Sequence, residues 1–314
     1  MRIVRVALAI ALLLLPALSA TVPAGAQADR VIHIGVGSFE ANAGAYYALD
    51  NGFFKQLGLN VDIQIYKSGG AIATAIVSGS LQIGANAPLP VVLATEKGMN
   101  MVIIAPGSLY DAKTTPPNFM VAPNSTLRTG KDFEGMTVAV STLNGLDELG
   151  VRSWIDKTGG DSQRVKIVEM PQSLMADAIL NGRVSAGTMT DPAAANALSA
   201  GKIKVLAPCY TFIGNQFFVS SWFATREWAD KNADVVRRFR IAIDRAGAWA
   251  TRNPQAAAGI LHKYLGSMEP LAHERHARSI EPSMIQPIID AAVRYKIVER
   301  PMDARDIIWT GPPR

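Results

Sequence analysis

Groups able to do covalent chemistry are sparse in this 314-residue chain. No Gly-x-Ser-x-Gly elbow places a serine at a strand-to-helix turn, and no phosphate loop ends in Gly-Lys followed by Ser or Thr. Gly35-Val36-Gly37-Ser38-Phe39-Glu40 opens like a dinucleotide fingerprint. Glu40, however, stands where the third glycine is needed for close packing of helix on strand. His273 and His276 are spaced to share a helix face, with His262 and Glu274 in the same region, but no third metal ligand accompanies them; a solvated face is the plain reading. The lone Cys209 excludes an internal disulfide and a thiolate zinc cluster, and reads as a small buried residue. These residues point to no catalytic group, metal or cofactor.

Small, polar, glycine-bearing segments are what the chain does offer. They are 37–44, with Ser38, Phe39, Asn42 and Gly44; Ser68-Gly69-Gly70; Asn86-Ala87-Pro88; 141–145, with Ser141, Thr142 and Asn144; 170–173; and 188–192, with Asp191. Such segments make hydrogen bonds to small molecules. Ser68-Gly69-Gly70 at a helix start either turns free backbone N–H groups toward an anion or is plain N-capping by Ser68, and the residues leave both open. Ser141, Thr142 and Asn144 supply hydroxyl and amide groups. Asp191-Pro192 either starts a turn or presents a carboxylate to a ligand amine, amide or hydroxyl. Phe39, Tyr46 and Tyr110 are candidates for an aromatic wall, Tyr46 equally for the core.

The elements that must position these segments are legible from the apolar pattern. Val31 through Val36 reads as a buried strand, Val61 through Tyr66 as an alternating one, and Leu81-Gln82-Ile83-Gly84 as a third, with helical stretches around Tyr46 and from Ser68 through Val77. Strand, helix, strand, helix, strand is the grammar of a parallel α/β sheet. It recurs roughly 103 residues later: Met136 through Val140 answers Ile32 through Val36, Val165-Lys166-Ile167 answers Val61-Asp62-Ile63, and Ile179-x-x-Gly182-x-Val184-x-x-Gly187 answers Ile76-x-x-Gly79-x-Leu81-x-x-Gly84. Two similar lobes are therefore expected, with crossovers at 106–118 and 208–216. Phe217 through Phe223 reads as one strand, followed by a helical tail that clads lobe one. The cluster Arg237-Arg238-x-Arg240 reads as the outer face of an amphipathic helix. In open parallel sheets ligands bind beyond the carboxyl ends of the strands, which turns all six polar segments toward one cleft.

The chain begins with Arg2 and Arg5, an apolar run from Val6 to Leu15, and the small-residue tail Ala26-Gln27-Ala28. This is a secretory signal peptide, expected to be cleaved after Ala28; the run is far short of the ~20 residues that span a bilayer. Cleavage removes two of the 31 basic residues against 26 acidic ones, so the mature net charge is about +3. With 49 % hydrophobic and 18 % charged residues, the chain is globular, and it has no basic stripe for nucleic acid. An exported, periplasmic protein is expected.

Several of these residues also carry a family likeness. The runs Asn42-Ala43-Gly44-Ala45-Tyr46-Tyr47-Ala48 and Gly52-Phe53-Phe54-Lys55-x-x-Gly58-Leu59-Asn60-Val61, with Ser68-Gly69-Gly70, Gly79-x-Leu81-x-x-Gly84 and Asp191-Pro192, resemble the substrate-binding proteins of ABC importers for thiamine precursors, nitrate, sulfonates and taurine. The likeness spans roughly 31–223. It implies an α/β, bilobed type II periplasmic binding protein fold: two similar βαβ lobes joined by two crossovers, lobe one at 29–112 and 213–314, lobe two at 113–212. It also implies a monomer that is not an enzyme, holding a small-molecule ligand between its lobes by hinge closure and delivering it to a membrane permease and its ATPase. Loops matching Ser38 to Gly44, Ser68 to Gly70, Asn86 to Pro88, Ser141 to Asn144, and Asp191 commonly line the cleft in such proteins. Asn42 stands where thiamine-precursor members often carry histidine, which weakens a pyrimidine ligand. The expected solute is a small organic anion such as a sulfonate or carboxylate. The alternatives are an exported enzyme on the same fold, a receptor reporting to a membrane sensor, and a pyrimidine-binding protein.

Overall fold

The computed structural model describes residues 30–115, 118–266 and 275–312. The signal segment with its cleavage position, and His273 with Glu274, lie outside the described residues.

The chain runs through β1 (Ile32–Val36), α1 (Gly44–Asp50), α2 (Phe53–Gln56), β2 (Val61–Ile65), α3 (Gly69–Val77), β3 (Ile83–Asn86), α4 (Leu89–Glu96) and β4 (Met101–Pro106) before the first crossover, which carries β5 (Ser108–Asp111). Next come β6 (Phe119–Val121), β7 (Thr137–Val140), α5 (Leu146–Lys157), β8 (Lys166–Glu169), α6 (Gln172–Leu180), β9 (Ala186–Thr188), α7 (Ala193–Ser199) and β10 (Lys204–Ala207). The returning crossover carries β11 (Gln216–Phe218), and after it follow β12 (Ser221–Thr225), α8 (Arg226–Lys231), α9 (Ala233–Arg252), α10 (Pro254–Leu265), β13 (Arg275–His276) and α11 (Gln286–Arg294).

Two five-stranded sheets of equivalent order result: β2-β1-β3-β12-β4 and β8-β7-β9-β6-β10. In each, the first three strands are parallel and the fourth is antiparallel to its neighbours. The registers match as well. Ile32 pairs with Val61 and Thr137 with Lys166, a separation of 29 residues in both. The repeated glycine of the sequence motif has a packing cause: a Cβ on Gly84 would stand 2.3 Å from Ile72 Cγ2, and one on Gly187 3.2 Å from Met175 Sδ, so each helix rests directly on the strand backbone.

Several expectations change in detail. The third strand is Ile83–Asn86 rather than 81–84, because Leu81 N–H donates to Ala75 O and closes the turn after α3. The strands Met101–Pro106 and Phe119–Val121 are short apolar runs that carried no alternation to mark them. The expected strand at 217–223 is split into β11 and β12, since Val219 N–H and Ser220 N–H both donate to Ser108 O and turn the chain from the crossover into the first sheet. The Arg237 cluster divides: Arg237 is exposed, Arg238 donates to the carbonyls of Leu57 and Gly58 at 3.0 and 3.1 Å, and Arg240 is part-buried, over the Trp309 ring at 5.4 Å and donating to Ile104 O and Trp309 O. Arg240 thus fastens the C-terminal segment to β4.

The crossovers are zipped together. Antiparallel β5 and β11 pair Tyr110 with Phe217 and Leu109 with Phe218, and β13 adds a third strand on the other side of β5. Tyr110 stacks on Phe217 with ring centres 4.9 Å apart, and its hydroxyl bonds Thr211 Oγ1 at 2.6 Å. In the tail, α9 buries Val235, Val236, Phe239, Ala242, Ile243 and Ala246 against α1, α2 and β4, the spacing of one helix face. The last helix departs from expectation: α11 packs on both α4 and α5, so the tail reaches lobe two.

Candidate functional site

Segments from both lobes enclose a single cleft of about 780 Å³. Lobe one contributes the loop after β1, the first turn of α3 and the end of β3; lobe two contributes the loops after β7, β8 and β9. Phe39, Asn42, Ser68, Gly70, Asn86, Ala87, Ser141, Thr142, Asn144 and Asp191 line it. Ser38, Gly44, Gly69, Pro88 and Tyr110 do not. Ser38 faces solvent, Gly44 and Pro88 are buried at helix starts, and Gly69 lies under Asn86 and Pro90. Tyr110 sits in the crossover ribbon, and Tyr46 is core, stacked on Tyr264 at 4.5 Å. Phe39 is the one expected aromatic on the cleft wall.

The lining residues differ in what their polar atoms can still do. Asn42 is 1 % exposed, and its amide is used on both sides, donating to Gly37 O at 3.2 Å and accepting from Ser220 Oγ at 2.7 Å. It ties the β1 loop to the returning crossover. Ser68 caps α3 by accepting from Ala71 N–H at 3.3 Å. Asn86 Oδ1 accepts from Ala87 N–H at 2.9 Å. Asn144 has φ +53°, a left-handed conformation that asparagine tolerates, and its N–H donates to Glu148 Oε2 at 2.8 Å. Asp191 Oδ1 accepts from Ala195 N–H at 3.1 Å and so stabilises the start of α7 while facing the cleft. Asp191 thus serves the turn at the start of α7 and also borders the cleft.

Sequence reading missed the floor on the lobe-two side. Asp147, in the first turn of α5, is 5 % exposed and accepts hydrogen bonds from the hydroxyls of Ser141 and Tyr210 and, at 3.3 Å, from Ser141 N–H. Tyr210 lines the cleft, and burial together with the Asp147 charge pushes its pKa well up. Asn118 Oδ1 accepts from the Cys209 thiol at 3.3 Å, while the Asn118 N–H2 influences the Tyr210 oxygen without reaching hydrogen-bond geometry with any group. Cys209 is fully buried, and burial beside Asp147 pushes its thiol well up. Gln172 bridges two loops, accepting from Thr190 N–H at 2.8 Å. The one sequence signal there, which the sequence reading did not use, is the acidic pair Asp147-Glu148 at a helix start, which fits ordinary helix-dipole complementation.

Four carboxylates border the cleft, those of Glu40, Asp147, Glu169 and Asp191. Against them, Lys97 is the single basic side chain among the described lining residues. Among the described residues no group of three or more His, Cys, Asp or Glu could hold a metal ion.

Comparison with known proteins places this geometry. The family model described as NMT1/THI5 like matches residues 40–257. A putative aliphatic sulfonates-binding protein of Escherichia coli (strain K12) is 22 % identical over 254 residues, covering 78 % of this chain and 77 % of its own. The crystal structure of the periplasmic aliphatic sulphonate binding protein SsuA from Escherichia coli superposes with TM-score 0.72 at 19 % identity, over 89 % of this chain and 97 % of that one. The desulfurization enzyme DSZB also shares the fold, with TM-score 0.66 at 12 % identity over 88 % and 96 % of the two chains. The architecture is that of a bilobed periplasmic binding protein.

Proposed function

The chain belongs to the NMT1/THI5-like family, and from that premise we propose that it is the periplasmic solute-binding component of an ABC importer. A small organic solute occupies the cleft, and the lobes, divided as 29–112 with 213–314 and as 113–212, close over it by rotation about the zipped crossovers. The observation that carries this reading is a cleft of about 780 Å³ to which both lobes contribute at the ends of their parallel strands. Contacts from Phe39, Ser68 and Gly70 on one side and Ser141, Thr142 and Asp191 on the other exist together only when the lobes approach. Ligand binding therefore shifts the population toward the closed form, and a permease with its ATPase recognises that shape.

The exported-enzyme alternative has a fold neighbour in DSZB but needs an activated group at the cleft. No histidine is among the described lining residues, and Cys209 is buried with its thiol pushed up. Segment 1–28 serves as a cleaved export signal, and the mature protein acts as a monomer without nucleic-acid partners. The test is a thermal-melt screen of the mature protein, since ligand at 100 times its Kd adds about 2.7 kcal/mol of stability. The reading expects a stabilising compound to be recovered chemically unchanged and to reduce the radius of gyration by small-angle scattering. Chemical conversion of that compound would overturn it in favour of the enzyme.

A further inference from the structure

Asp147 and Glu148 are neighbours in the first turn of α5, each 5 % exposed, yet they are balanced differently. Glu148 forms an ion pair with Arg152 at 2.7 Å. Asp147 has no ion-pair partner among the described residues, and its donors are neutral: the Ser141 hydroxyl and N–H, and the Tyr210 hydroxyl. A hydroxyl has one proton, and both of these protons are committed to Asp147. The oxygens of Ser141 and Tyr210 therefore turn only lone pairs toward the cleft. This corner of the cleft is negatively charged and rich in acceptors; the start of α5 and three neutral donors offset the charge in part, and a ligand cation would pair with it directly.

The same floor carries one unmet donor. Asn118, 5 % exposed, lines the cleft with an N–H2 that has no hydrogen-bond partner. A ligand group that satisfies the floor thus brings positively charged N–H donors and, next to them, an acceptor. A sulfonate or carboxylate head brings only negative charge and acceptors, and meets the same at the corner formed by Asp147, Ser141 and Tyr210. The rest of the lining is apolar at Phe39, Leu93, Met120, Leu143 and Met189.

Resting on the solute-binding reading, we propose that this cleft takes a small organic cation, with a protonated nitrogen seated against Asp147, Ser141 and Tyr210 and an apolar body along the opposite wall. This departs from the oxyanion expected from sequence.

The test uses titration calorimetry and melts of the mature protein with 2-phenylethylamine against 2-phenylethanesulfonate and 3-phenylpropanoate, which carry the same phenylethyl group, and with 2-phenoxyethylamine, which adds an ether oxygen. The amines bind and raise the melting temperature, the ether-bearing one more strongly through Asn118, and the two anions do neither. Asp147→Asn removes the charge, keeps one of the two oxygens to which Ser141 and Tyr210 donate and turns an N–H2 toward the other hydroxyl, and lowers amine affinity at least tenfold. Binding of an anion in preference to its amine, no binding of either amine, or amine affinity unchanged in a folded Asp147→Asn overturns the proposal. Should that variant fail to fold, the amine-against-anion comparison on the unaltered protein decides alone. Mass spectrometry of the extract from denatured native protein separates the two readings: an oxyanion there overturns only the cation proposal. No binding by any compound together with an empty extract removes the solute-binding reading itself.

Discussion

At the scale of single residues, the cleft separates side chains that hold the scaffold from those left to meet a solute. Asn42 belongs to the first kind, with its amide spent on Gly37 and Ser220. Asn42→Ala should cost about 1–3 kcal/mol of stability by leaving buried partners unmatched, measured by urea unfolding. Ser141 belongs to the second kind: Ser141→Ala should weaken solute binding by ~1 kcal/mol or more while the fold persists. Unchanged affinity by calorimetry would remove that loop from the site. The polar loops were legible in the sequence because Gly, Ser and Asn mark the turns after strands, and in parallel sheets those turns gather at the carboxyl ends. Asp147, Tyr210 and Asn118 were not, because they come together from α5, the second crossover and the edge of β6, and no local pattern announces that Asp147 meets Tyr210, 63 positions on, or that Asn118 meets Cys209, 91 positions on.

At the scale of elements, the repeat Ile-x-x-Gly-x-Leu/Val-x-x-Gly was readable because it records one packing problem solved twice. The two solutions are unequally tight. Gly84→Ala drives a methyl group to 2.3 Å from Ile72 Cγ2, whereas Gly187→Ala meets Met175 Sδ at 3.2 Å, the end of a flexible side chain. The first should lose about 1–3 kcal/mol and the second clearly less, compared by thermal melts. The short β13 holds a titration of its own. Burial of His276 against Tyr47 and Gly247 lowers its pKa to about 4 from 6.5. The unfolded chain then binds the extra proton first, so stability is full above pH 6.5 and falls as pH drops toward 4. The loss is about 2 kcal/mol after allowing for the part of the residue that water reaches. His276→Phe should flatten that part of the stability profile. The family signature Gly52-Phe53-Phe54-Lys55-x-x-Gly58 also belongs to this scale: Phe54 stacks on Phe239 at 5.8 Å, Gly58 takes φ +65°, and none of these residues lines the cleft. It reports the fold and is silent on the ligand.

At the scale of the whole molecule, the parallel halves of both sheets followed from periodicity, while the antiparallel pairing did not: β12 reaches the first sheet only from beyond the second crossover, and β6 is a three-residue apolar run with no alternation to mark it. The late arrival of β12 has a consequence for the order of assembly. The second sheet is drawn from one uninterrupted stretch, 119–207, but in the first, β3 and β4 are joined only through β12, which lies at Ser221–Thr225. During synthesis the amino-terminal half emerges first yet has an open gap in its sheet until some 120 further residues have followed β4. The later-made lobe is the one able to finish first, and the earlier waits as an exposed, incomplete template. Pulse-labelled hydrogen exchange during refolding should accordingly show protection in β7 and β9 before β3 and β4.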